Sequence, residues 1–84
     1  MKLEIGELLL ACRVKAGLSQ EMLAERLNIS RSCVSKYERN RNSPDIYIIL
    51  QWAEVTNTRE VIVAYLFGVD SISLIHNVMQ SIGA

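Results

Sequence analysis

No stretch of the 84 residues approaches the ~18 consecutive apolar positions of a membrane-spanning helix. The opening Met1-Lys2-Leu3-Glu4 is not a basic segment leading into an apolar one, so no export signal is expected and the cytoplasm is the default compartment. Cysteine is scarce. Cys12 and Cys33 are too few and too far apart for a disulfide framework or a zinc site, and His76 is the only histidine, so a Cys/His cluster is excluded. Repeats and low-complexity segments are absent, and strand signals are weak. No nucleophile–base pair or acid pair is assembled, so the sequence points to no enzyme, no metal and no cofactor. The length leaves room for one core only.

Net charge is also missing, being zero overall, and a neutral chain is at first sight a poor partner for a polyanion. Its distribution is uneven, however. Between Arg13 and Arg41 the bases Arg13, Lys15, Arg26, Arg31, Lys36, Arg39 and Arg41 face only Glu21, Glu25 and Glu38, a local net of +4. Elsewhere Lys2 and Arg59 face Glu4, Glu7, Asp45, Glu54, Glu60 and Asp70, a net of −4. A basic segment within a neutral chain fits either a phosphate-binding footprint or a solvated mixed surface.

What is present is half apolar and periodic. A first helix is expected from about Glu4 to Ala16, with Ile5, Leu9, Cys12 and Ala16 on one stripe and Gly17 as its left-handed stop. Ser19 caps a second helix ending near Leu27, and Asn28 follows where a positive φ is wanted. Ser30 caps a third helix from Arg31 to about Glu38, and a polar loop from Arg39 to Ser43 comes next. Ser43-Pro44 reads as an N-cap and first helical residue of a fourth helix running to Thr56. Either Asn57, in a capping box with Glu60, or Thr58 starts a fifth helix ending near Phe67 and Gly68. Asp70 or Ser71 starts a last helix to about Ile82.

The second and third helices have the residue types of two short helices clamped at a fixed angle. Ala24 is small where they touch, and Asn28 sits at the sharp turn. Leu23, Leu27, Ile29, Val34 and Tyr37 have the spacing of inward positions. With Ala16-Gly17-Leu18-Ser19-Gln20-Glu21-Met22-Leu23-Ala24, then Ile29-Ser30-Arg31-Ser32-Cys33-Val34-Ser35-Lys36-Tyr37-Glu38-Arg39, then Pro44, the chain resembles the phage Cro/C1 repressor family of helix-turn-helix domains from about Ile5 to Gly68. The resemblance implies an all-α fold, a five-helix Cro/C1 repressor-like helix-turn-helix domain over residues 1–68, while the apolar surface beyond it predicts a C-terminal dimerisation helix over 69–84. The family likeness implies a sequence-specific, DNA-binding transcriptional regulator at the nucleoid, and the leading reading is a homodimeric repressor on a palindromic operator of double-stranded DNA. By the same resemblance Gln20, Arg39 and Arg41 contact phosphate, and Arg31, Ser32, Ser35 and Lys36 face the bases. Arg13 pairs with Glu38, the competing role for Arg13 being a phosphate contact. Asn28 and Asn40 depart from the family's usual glycines, and Asn40 predicts a stiffer loop.

Physical chemistry supports those assignments. The first turn of a recognition helix lies nearest the bases, and Arg31 there can donate two bonds to a guanine, whereas Ser32 discriminates weakly. Lys36 reaches either a base or a phosphate. Cys33, in the same turn, is either a small stand-in for serine or a thiol activated by the helix dipole. Trp52 reads as core and His76 as exposed or interfacial.

Val61 to Phe67 has almost no polar face, and a helix apolar all round must be buried all round. A homodimer through Tyr65, Phe67, Ile72, Ile75 and Met79 satisfies that need, with Leu8 and Leu10 as a second candidate surface. The opposing reading is a monomer whose last helix folds back over its own domain. A protein antagonist is a further candidate partner. The alternative function is an antitoxin or antirepressor that keeps the fold but binds a protein.

Overall fold

The computed structural model describes residues 4–68, 76 and 78–80. The helices are α1 (Ile5–Lys15), α2 (Gln20–Leu27), α3 (Arg31–Glu38), α4 (Ile46–Thr56) and α5 (Arg59–Leu66). Residues 76 and 78–80 are also helical, and no strand occurs among the described residues. The fold is all-α, as the periodicity predicts. No helix among the described residues is long and apolar enough to cross a membrane.

Local chemistry accounts for the first three helices. The Ser19 and Ser30 hydroxyls accept the Met22 and Cys33 amides, each at 3.0 Å, and so satisfy donors that α2 and α3 leave open. Gly17, Asn28 and Asn57 take the left-handed conformation, at φ 74°, 57° and 56°, directly after α1, α2 and α4 close. In each case the following amide returns to a carbonyl five residues back: Leu18 to Arg13, Ile29 to Ala24, Thr58 to Ala53.

Two caps differ from expectation. The fourth helix begins at Ile46, not Pro44, because Asp45 is the better cap: its carboxylate accepts the Ile48 amide at 2.8 Å. Pro44 is instead buried in the extended lead-in. Asn57 closes α4 rather than opening α5. Thr58 stands at the α5 N-cap, but its hydroxyl lies 2.7 Å from Thr56 Oγ1 and caps nothing.

The core gathers Leu8, Leu9 and Cys12 of α1, Leu18, Leu23, Ala24 and Leu27 around α2, Val34 of α3, Ile49, Trp52 and Ala53 of α4, Ile62 of α5, and Val78. Trp52 is central: its indole N–H donates to the Leu9 carbonyl at 3.1 Å, so the largest buried side chain also pins α4 to α1. Three expectations shift here. Leu8, off the predicted stripe, is fully buried, and Ala16 is exposed, because α1 packs on both α3 and α4 and its buried face turns toward them. The fifth helix is not buried all round: only Ile62 is enclosed, and Val63, Leu66 and Phe67 face solvent. Of the described C-terminal helical residues, Val78 enters the domain's own core, whereas His76, Met79 and Gln80 are exposed. Ile72, Ile75 and the ends of the last helix lie outside the described residues.

Gly6 lies outside the apolar stripe of the sequence, yet it sets the approach of α1 to α3. A Cβ there would sit 2.5 Å from Asn40 Oδ1, 2.6 Å from the Tyr37 carbonyl oxygen and 2.7 Å from that of Glu38. Two of those atoms are backbone and cannot rotate away. Gly6→Ala is expected to destabilise the fold by about 1–3 kcal/mol, although alanine is the better helix former in isolation. Thermal unfolding tests this; a variant as stable as the parent would mean that α1 and α3 are not in such close contact.

Candidate nucleic-acid interface

The outer face of α3 follows from which side chains turn inward. Val34 and Glu38 are buried and Tyr37 is half-buried, so the helix leans on α1 and α2 along that side. Arg31, Ser32, Lys36 and Arg39 are exposed and Ser35 is half-exposed. Their spacing places them on one contiguous outer arc. Arg41 follows in the loop, also exposed. The arc and loop therefore hold Arg31, Lys36, Arg39 and Arg41 with no carboxylate among them. Arg39 Nε turns back weakly to the Ser35 carbonyl at 3.4 Å, and among the described residues the other three find no side-chain hydrogen-bond partner that competes for their charge.

The one acid of α3 is withdrawn from this face. Arg13 Nε reaches Glu38 Oε2 at 2.6 Å and Arg13 Nη2 reaches Oε1 at 3.1 Å, a two-pronged pair whose side chains are 13% and 3% exposed. The third guanidinium nitrogen, Nη1, donates to the Leu18 carbonyl at 2.8 Å. One arginine thus joins α1 to the end of α3 and to the turn before α2.

Gln20 occupies the first position of α2, where the resemblance assigns it to phosphate. Its amide Nε2 donates to Glu38 Oε1 at 2.9 Å, so this side chain belongs first to the Glu38 cluster. The sequence offers no local sign of that bond, because the partners are 18 residues apart. The Asn40 side chain, for which the sequence predicts only a stiffer loop, bonds to Gly6 and Glu7 at the start of α1.

Neither cysteine forms a disulfide. Cys12 is a core thiol that burial pushes above its ordinary value, although a hydrogen bond with Thr58 and the charge of Lys15 pull the other way. Cys33 is half-exposed in the first turn of α3. Among the described residues no group of three or more potential ligands could hold a metal ion. Tyr65 packs partly against the core, whereas Phe67 and Met79 are exposed at 84% and 47%. His76 is exposed and sits 2.9 Å from the Gln80 amide.

A family model described as helix-turn-helix matches residues 9–63. The HTH-type transcriptional regulator ImmR of Bacillus subtilis (strain 168) is 37% identical over 71 residues, covering 84% of this chain and 54% of that protein. The chain therefore spans about half the length of that relative. No solved structure matches it.

Removing one member of the Arg13–Glu38 pair strands a buried charge. Glu38→Ala is expected to cost about 3–5 kcal/mol of stability, far more than an exposed ion pair contributes. Denaturant unfolding of Glu38→Ala beside a Glu54→Ala control, whose partner Arg59 is on the surface, measures the difference. Equal losses would contradict a structural role for the buried pair.

Proposed function

The chain belongs to the Cro/C1-type helix-turn-helix family, and on that premise we propose that it is a DNA-binding transcription regulator that reads duplex DNA with the outer face of α3. One observation carries the reading. The exposed arc of α3 and its loop bears four cations, and Glu38, the acid that would spoil it, is buried against Arg13. Phosphates would meet Arg39 and Arg41, with Gln20 offering the amide hydrogen that Glu38 does not take. Arg31, Ser32, Ser35 and Lys36 would lie toward the base edges, Arg31 as the discriminating donor.

The regulator acts, on this reading, as a homodimeric repressor on a palindromic operator. Two recognition helices related by a two-fold axis match half-sites one helical turn apart. Val63, Leu66, Phe67 and Met79 are exposed apolar side chains at the C-terminal end of the domain, and burying them between two copies removes an unfavourable surface. Residues 1–68 would then be the reading unit and 69–84 the assembly segment, in the cytoplasm at the nucleoid.

Displaced counterions make affinity fall with salt by a slope of about −0.9 per phosphate neutralised. Titration of a selected palindromic duplex at several salt concentrations, with the protein's mass measured in solution, is the experiment. Arg31→Ala should relax preference at one base pair per half-site by about 1–3 kcal/mol, and Arg41→Ala should weaken all sequences alike. Salt-independent affinity contradicts DNA binding, exchanged effects of the two variants contradict the placement of α3, and a monomer at high micromolar concentration contradicts the dimer.

A further inference from the structure

Asn40 adopts φ 60°, the left-handed conformation that glycine takes with least strain. Its side chain gives a reason for the residue. Oδ1 accepts the Gly6 amide at 2.9 Å, and Nδ2 donates to Glu7 Oε2 at 2.9 Å. The Gly6 amide is one of the donors that the first turn of α1 leaves open, and the Glu4 side chain at the N-cap does not cap the helix. The cap of α1 therefore comes from a residue 34 positions away. Gly6 is also the point at which no Cβ fits, so the contact is close on both the backbone and side-chain level.

On its other side Asn40 belongs to the turn that ends α3. Its amide donates to the Tyr37 carbonyl at 3.2 Å, and the Arg41 amide donates to the Lys36 carbonyl at 2.9 Å. Arg39 and Arg41 flank it in the chain, both exposed. The residue clasped to α1 is thus the one between the two arginines that follow the recognition helix. A loop held at its centre has less freedom to lose when those arginines meet a ligand.

We propose that Asn40 is a positioning residue for phosphate binding: by clasping Gly6 and Glu7 at the start of α1, it fixes the direction in which Arg39 and Arg41 leave the loop. This rests on the DNA-binding reading above. Phosphate contacts carry no sequence information, so the effect of the clasp is uniform across duplexes. A merely structural role would lower stability and leave the affinity of the folded protein untouched.

Asn40→Gly separates the two roles. Glycine keeps the positive φ at lower backbone strain and deletes both side-chain bonds, and thermal unfolding sets a temperature at which parent and variant are both folded. There, Asn40→Gly should weaken a selected duplex and a random duplex by the same factor, about three- to tenfold, the scale of one weakened charge-assisted contact. In an Arg39→Ala/Arg41→Ala background the same substitution should have almost no effect, because the coupled residues are gone. Hydrogen exchange at the Gly6 amide should accelerate in Asn40→Gly. Unchanged affinity, an equal loss without the two arginines, a change confined to the selected duplex, or a Gly6 amide that exchanges as before each overturns the proposal. A parent protein that binds no duplex above background overturns the DNA reading along with it, a result distinct from the others.

Discussion

The Glu38 carboxylate lies where α1, α3 and the first residue of α2 meet, and both of its oxygens are occupied by Arg13 and Gln20. A carboxylate at a helix C-terminus opposes the helix dipole, an unfavourable contribution of about 0.3–1 kcal/mol for an exposed group. Burial adds a larger desolvation cost. Arg13 offsets both because its planar fork satisfies two carboxylate contacts and still reaches the Leu18 carbonyl. The pair is not needed to add net stability to be useful. Its geometry fixes how α3 lies on α1, and a wrong crossing would leave a charge unpaired in the interior.

The same arrangement divides α3 electrostatically. With Glu38 turned in, the outer arc and the loop beyond it are left with Arg31, Lys36, Arg39 and Arg41. A neutral chain thereby presents a positive surface, and the excess of acids outside the central segment does not cancel it locally. Glu38 at the end of α3 and Asn40 just beyond it both tie α3 to α1, and the core beneath is centred on Trp52.

Most of the domain was legible because its signals are local. Ser19 and Ser30 cap within three residues, and Gly17 and Asn28 stop helices where a positive φ is required; the bounds of α1 to α3 follow from such short-range chemistry. The misread elements are those where a neighbour competes or a distant partner decides. Asp45 outcompetes Ser43 as a cap by one strong bond, and Asn57 serves the helix before it rather than the one after. Leu8 is buried, and Ala16 is not, because two helices pack on α1 from different sides. Gln20 on Glu38, Asn40 on Gly6 and Val78 in the core are tertiary events with no trace in a window of a dozen residues.

On the proposed reading, the outer arc of α3 and its loop form the surface that meets DNA. Amide chemical shifts followed while a selected duplex is titrated into the protein test it residue by residue. The account predicts that the largest changes fall between Ser30 and Lys36 and between Arg39 and Asn42, with the exposed side of α4 around Tyr47 and Leu50 little affected. Changes concentrated on α4 or α5, with α3 silent, would contradict it.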